Sequence, residues 1–197
     1  MKIDNVEIDK SIVIKFLGYS KRPIPKNIEK IIDEEIHIIN DILDINVFVE
    51  EIDTKNHDFT GEYIKENIQK SDKAYAVLYT IGNKIEEKIN KCTYSNDMIR
   101  GYVLDKIGIV ALDYVNDYIK NNLRLQNKLN ISAEVYPGNK DFEVSNQRKI
   151  YEYVENDIIN INEYNQINPI KSVAMILGLG QSENCISRCD ICENKCI

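Results

Sequence analysis

The stretch KAYAVLYTIG, residues 73–82, constrains this chain most. From Ala74 to Thr80 it is apolar almost without interruption, and Gly82 closes it at once. A continuous apolar strand needs cover on both faces, so this segment predicts a central strand. The neighbouring segments must supply the cover. In IPKNIEKIIDEEIHIINDIL, Pro25 and Asn27 signal a start, and Ile28, Ile31, Ile32, Ile36, Ile39 and Leu43 then follow at helical spacing. Glu35 is the one polar member of that stripe. INVFVEEI, residues 45–52, alternates and is rich in β-branched residues, which predicts a second strand. TGEYIKENIQK predicts a short helix capped by Thr60 or Gly61, and NKIEEKINKC predicts another. SNDMIRGYVLDKIGIVALDYVNDYIKNNL predicts the longest helix, capped by Ser95 or Asn96. Its apolar face runs from Ile99 and Tyr102 through Val103, Ile107, Val110, Ala111, Tyr114 and Val115 to Tyr118. Gly101 and Gly108 lie inside it at a cost of up to ~1 kcal/mol each against Ala, which points to close packing.

Further along, NISAEVYPGNKDF predicts a strand ended by the Pro137–Gly138 turn. EVSNQRKIYEYVEN predicts a helix from Val144 or Ser145, and INEYNQINPIKSVAMILGLG two short strands broken by Pro169. Strands and helices mix without a strict βαβ rhythm, and no linker or repeat divides them. A single α+β domain over residues 1–180 is therefore expected, followed by a cysteine-rich tail over 181–197. The net charge of −7, with no basic cluster, argues against a nucleic-acid partner. No apolar run has the length of a membrane span, and the first residues lack the features of a signal peptide. The expected location is the cytoplasm, with no membrane partner. There, clustered cysteines point to metal or redox chemistry rather than to structural disulfides.

Several segments in succession carry a resemblance. FLGYSKRPIP (Phe16–Pro25) precedes the first predicted helix, YTIGNKIEE (Tyr79–Glu87) forms a strand-to-turn junction, and LDKIGIVALDYV (Leu104–Val115) lies in the long helix. AEVYPGNKDFEVSNQRKIYEYV and NEYNQINPIKSVAMILGLG follow. In this order, over Phe16–Gly180, the chain resembles the activation domain of cobalamin-dependent methionine synthase in a free-standing form. The resemblance implies a twisted, mainly antiparallel sheet packed with helices, one of them long. It also implies an accessory role in corrinoid-dependent methyl transfer rather than stand-alone catalysis. Such a domain holds S-adenosylmethionine over a cobalamin while the inactive cofactor is reduced and remethylated. The cobalamin would come from a partner, a methyltransferase or corrinoid protein. By the same resemblance Asp113, Tyr136, Glu163 and Ser172 are the candidate cofactor contacts. The chain departs from the family where an Arg should precede the turn, a register that falls near Ile131, and where Val135 replaces a Gly. Ala174 and Met175 also replace the family's Ser and Gly. S-adenosylmethionine thus enters as a candidate cofactor without its carboxylate fork, since isoleucine cannot imitate a guanidinium.

The tail, GLGQSENCISRCDICENKCI from Gly178 to Ile197, carries Cys185, Cys189, Cys192 and Cys196 with spacing C-x3-C-x2-C-x3-C. These are the candidate metal ligands. Tightly spaced thiolates suit an iron–sulfur cluster, in which each sulfur meets a different iron. Ferredoxins use C-x2-C-x2-C-x3-C-P, and here Ile197 stands at the Pro position. Zinc more often takes two C-x2-C pairs separated by a longer loop. Cys189 and Cys192 alone could cycle between dithiol and disulfide, and four unligated thiols are the remaining alternative. The first three cysteines also spell the cluster motif of radical S-adenosylmethionine enzymes, but those need a barrel after the motif and only five residues follow Cys192.

Other candidates have plainer readings. Cys92 is expected as a small core residue, and His37, between Glu34 and Asp41, as a helix-surface histidine. His57–Asp58 lies in a loop with too few ligands for a metal, and the Gly178–Gly180 pair is too short for a phosphate loop. Two functions remain open on the sequence: an assistant of reductive cobalamin reactivation whose tail passes the electron, or a non-redox docking module whose tail is tied by zinc.

Overall fold

A computed structural model describes Met1 and residues 3–181. In chain order the elements are α1 (Lys10–Phe16), α2 (Lys26–Ile42), β1 (Asn46–Ile52), α3 (Glu62–Gln69), β2 (Lys73–Thr80) and α4 (Lys84–Tyr94). Then come α5 (Met98–Asn127), β3 (Asn130–Val135), α6 (Asn146–Tyr153), β4 (Asn160–Ile161), β5 (Ile167–Asn168) and β6 (Ser172–Gly180). Four strands form one antiparallel sheet in the order β1-β2-β6-β3, and β4 pairs with β5 in a separate hairpin.

The period-two geometry of a strand sends alternate side chains of β2 into two cores. Tyr75, Val77 and Tyr79 pack with α1, α2, α4 and α5 on one face. Ala74, Ala76 and Leu78 pack with α3, α6 and the rings of Phe59 and Phe142 on the other. β6 divides in the same way, with Met175, Leu177 and Leu179 toward α5 and Ala174 and Ile176 toward α6. Burial of each large aliphatic side chain contributes about 1.5–3 kcal/mol, which is why the run at 74–80 must lie inside. No helix among the described residues is long and apolar enough to cross a membrane.

The structure corrects several local expectations. The C-terminal apolar segment forms one nine-residue strand, β6, at the centre of the sheet, and the residues before Pro169 make the β4–β5 hairpin. α5 is capped by Asp97, whose carboxylate accepts from the backbone N–H of Arg100 (3.3 Å), rather than by Ser95 or Asn96. Ile99 and Tyr102 are exposed, and Leu104 joins the buried face in their place. α1 was not foreseen; Asp9 caps it by accepting from the N–H of Ser11 (2.8 Å).

Of the two glycines of α5, Gly108 marks a close approach and Gly101 an ordinary contact. A Cβ at Gly108 would lie 3.1 Å from the Ile85 side chain and 3.2 Å from Lys171 Cε. One at Gly101 would lie 3.4 Å from Cys92 Cβ. Cys92 is buried on α4, as expected of a small core residue on a helix.

Candidate functional site

The turn after β3 is fixed from both sides. Val135 pairs with Ile176, and the chain then reverses through Pro137 and Gly138, whose φ of 95° is a conformation that glycine adopts without strain. The N–H of Gly138 donates to Phe142 O (2.6 Å), and that of Asn139 to Tyr136 O (3.0 Å). Asp141, at the end of this loop, caps a different element. Its carboxylate accepts from the N–H groups of Glu62 (2.6 Å) and Tyr63 (3.1 Å) at the start of α3. Those two bonds, that of Glu62 first, hold the Asp141 carboxyl below its usual range. The local sequence around Thr60 and Gly61 could not reveal a cap supplied from so far along the chain.

Tyr136 points inward. It is 9% exposed, and its hydroxyl donates to the Glu134 carboxylate two residues back. Asn116 of α5 donates through Nδ2 to Glu134 Oε1 (2.8 Å) and to the Tyr136 hydroxyl (3.1 Å). Lys120, one turn further along α5, reaches Glu134 Oε2 (3.4 Å) and Asp117 (2.8 Å). Burial opposes the Lys120 charge, but these two acids hold its pKa above the ordinary value. Asn116 Oδ1 is buried without a hydrogen-bond partner among the described residues. The cluster ties the loop to the middle of the long helix.

The other candidates do not close on one another. Val135 faces Ile176, so Tyr136 lies about three residues, roughly 10 Å, along β6 from Ser172. The Ser172 hydroxyl donates to Pro169 O (2.6 Å). Asp113 is on the exposed side of α5, next to Leu112, whose carbonyl accepts from the Tyr79 hydroxyl (3.4 Å). Glu163 is exposed in the β4–β5 turn, where Asn162 Oδ1 accepts from the N–H groups of Tyr164 and Gln166 (2.9 Å each). Beneath that hairpin is a groove of about 610 Å³ edged by the carboxamides of Asn160, Asn162, Gln166 and Asn168 and by the exposed Ile170. Neither Tyr136 nor Asp113 lines it.

Two positioning residues escaped the sequence reading. Arg148 of α6 holds the hairpin turn through Asn165 Oδ1 (3.3 Å) and the carbonyl of Asn162. Lys171 joins the start of β6 to α5: its Nζ binds Asp105, while its backbone N–H donates to Glu86 (2.8 Å). The only hint in the sequence was their place between the quoted motif residues.

Ile131, where the family's arginine would fall, packs against the apolar core under α5. The residues present therefore form no carboxylate clamp for S-adenosylmethionine at that position. Cys185, Cys189, Cys192 and Cys196 lie outside the described residues. Among the described residues no group of three or more His, Cys, Asp and Glu side chains could hold a metal ion.

No protein-family model matches the chain, and no curated protein matches it. Among solved structures it is similar to the MetH reactivation domain bound to AdoHcy, with a TM-score of 0.61 and 12% sequence identity. The similarity covers 80% of this chain and 66% of that one, slightly under two thirds of the neighbour's length. What the two share is the fold: helices packed on an antiparallel sheet, with one long helix among the six described here.

Proposed function

We propose that this chain is an accessory domain of corrinoid-dependent methyl transfer. It docks on a cobalamin-binding methyltransferase or corrinoid protein in the cytoplasm and assists reductive reactivation of the cofactor held there. The observation that supports this reading is the fold it shares with a reactivation domain. The Tyr136 turn, Asp113 and Ser172 lie toward one end of the sheet, apart from one another, so a ligand or partner spanning that end could touch all three. The cobalamin, on the partner, supplies the redox and methyl-transfer chemistry, and this chain supplies position.

In this reading residues 1–180 are the docking domain and 181–197 a metal-binding tail. The donor set of Cys185, Cys189, Cys192 and Cys196 suits an iron–sulfur cluster or zinc. Iron would let the tail pass the reducing electron. Asp113, Tyr136, Glu163 and Ser172 are the candidate cofactor contacts, and with Ile131 in the arginine register the isolated chain binds S-adenosylmethionine weakly or not at all.

The test uses a cobalamin-loaded methionine synthase deprived of its own reactivation domain. The full chain should bind it and, with reductant and S-adenosylmethionine, restore turnover after inactivation. Absence of both binding and restoration would sink the proposal. Truncation after Gln181 separates the tail's roles. A redox tail costs reactivation and leaves docking intact, whereas a zinc-tied docking tail costs the docking itself.

A further inference from the structure

We propose that the corner between α1 and α2 is a docking surface for an acidic patch on a partner protein, carried by Lys15, Lys21, Arg22 and Lys26. This rests on the reading of the chain as a domain that docks on a corrinoid protein, and it names the face that makes the first contact. The corner spans FLGYSKRPIP and the start of α2, a stretch that holds none of the candidate cofactor contacts.

Three observations converge on it. The first is charge. Residues 10–28 contain five lysines and arginines and no acid, a local charge of +5 in a chain whose net charge is −7. Lys10 is taken up by Glu29 (3.2 Å) and Asp33 (2.6 Å) of α2. Those bonds hold α1 along the first turns of α2, so the last turn of α1, the loop and the first turn of α2 share one end of the pair. Lys15, Lys21, Arg22 and Lys26 stand on that end. All four are exposed, and no carboxylate among the described residues pairs with any of them.

The second observation is that helix stability does not explain the cation at the start of α2. The helix begins after Pro25 with no side-chain cap, and Lys26 places a positive charge on the positive end of its dipole. Glu29, the acid of the first turn, is already occupied by Lys10. Lys26 therefore weakens the helix where it stands, and an anionic group brought by a partner would reverse that effect.

The third observation is order. The Arg22 guanidinium lies 4.7 Å from the centroid of the Tyr19 ring, and Pro23 and Pro25 fix the backbone on either side of Ile24, which packs against the core. The N–H groups of Gly18 and Tyr19 close the end of α1 by donating to Lys15 O (2.9 Å) and Ile14 O (3.1 Å). A loop held in this way loses little freedom on binding. Nucleic acid and anionic lipid present charge over an extended strand or sheet, which the acidic remainder of the chain repels. A local acidic patch on a protein meets the corner alone, and the same repulsion turns the chain corner-first.

The test is the association rate of the full chain with cobalamin-loaded methionine synthase deprived of its own reactivation domain. For the native chain the rate should fall about tenfold as salt is raised, because exposed charges are screened beyond about 10 Å at 0.1 M. Lys21→Glu with Arg22→Glu should associate slowly even at low salt and depend little on salt. The charge-keeping swap Lys21→Arg with Arg22→Lys should stay fast. So should Lys55→Glu with Lys70→Glu, the same charge change near α3, which packs on the opposite face of the sheet. Lys26→Glu should slow association while raising the urea midpoint, since it relieves the conflict with the helix dipole; a residue with only a structural role would not move the two in opposite senses. Equal rates in the native and reversed chains would overturn the corner and leave docking itself standing. A native chain that does not associate at all would overturn both. Retention of the native but not the reversed chain on duplex DNA or phosphatidylglycerol vesicles would overturn the assignment to a protein partner.

Discussion

Arg100, in the first turn of α5, reaches back to Glu35 of α2, and the two form an ion pair although Glu35 is only 2% exposed. Lys88 of α4 takes the other carboxylate oxygen, so one buried acid binds three helices. Glu35 was the anomaly in an otherwise apolar stripe, and its partners explain it. A buried carboxylate is retained only when cations meet it.

Removing one of those cations should be costly. Arg100→Ala is expected to lower stability by about 3 kcal/mol, read as a shift in the urea midpoint, because it strands part of a buried charge. Glu35→Leu combined with Arg100→Leu should recover most of that loss, since an apolar pair fits the surrounding stripe. A loss below about 1 kcal/mol for Arg100→Ala would show that Lys88 alone satisfies the acid.

Gly178 in the middle of β6 offers a sharper steric test. A Cβ there would lie 2.1 Å from Ser71 Oγ and 3.1 Å from the Ala133 side chain. That hydroxyl is itself held by Asn67 O (2.9 Å) and Ser132 Oγ (2.8 Å). Gly178→Ala should therefore destabilise the fold by about 1–3 kcal/mol, the usual range for overpacking. Adding Ser71→Ala should return part of it, by removing the atom that is struck. No recovery in the double variant would place the strain at Ala133 instead.

These cases show what was legible in the sequence. β2 and α5 could be read because each carries its own periodicity over many residues, and α2 because its isoleucines repeat at helical spacing. The full length of β6 was hidden by Pro169 and the glycines, which look like breaks until β2 and β3 are seen on either side. The cap of α3 by Asp141 and the hold of Arg148 on the hairpin join distant segments, and no local pattern encodes them. Tyr136 was legible as a position through the family order. The direction of its hydroxyl was not, since it depends on Asn116 twenty residues earlier.

His57 gives a pH prediction. Its Nδ1 is buried without a partner among the described residues, and its ring lies 5.5 Å from that of Phe59. Burial pushes its pKa below the ordinary value of about 6.5. Asp58 and Asp53 work against that shift, and Lys65 and Lys149 add to it. The fold thus favours the neutral imidazole. Its contribution is complete above about pH 6.5 and is lost as the pH falls through the lower, folded-state pKa. Urea midpoints should decline over that window in the native chain and less so in His57→Gln. A ring proton titrating above pH 6.5 in the folded chain would contradict the sign.

Tyr136 decides between two roles for the turn after β3. Its hydroxyl donates to Glu134, and Asn116 donates to both. Tyr136→Phe removes a hydrogen bond to a buried carboxylate, which should cost about 1–3 kcal/mol of stability. If the hydroxyl only anchors the loop, binding to the cobalamin-loaded partner should be unchanged while the urea midpoint falls. If instead it reaches a bound methyl donor, Tyr136→Phe should raise the S-adenosylmethionine concentration needed to restore turnover of the cobalamin-loaded partner. Glu134→Gln separates the two further, because it keeps the side-chain size and leaves the tyrosine hydroxyl in place. An anchoring tyrosine predicts that Glu134→Gln and Tyr136→Phe lower stability non-additively, since both act on one hydrogen bond. Full additivity would mean that the tyrosine's contribution to stability does not run through Glu134.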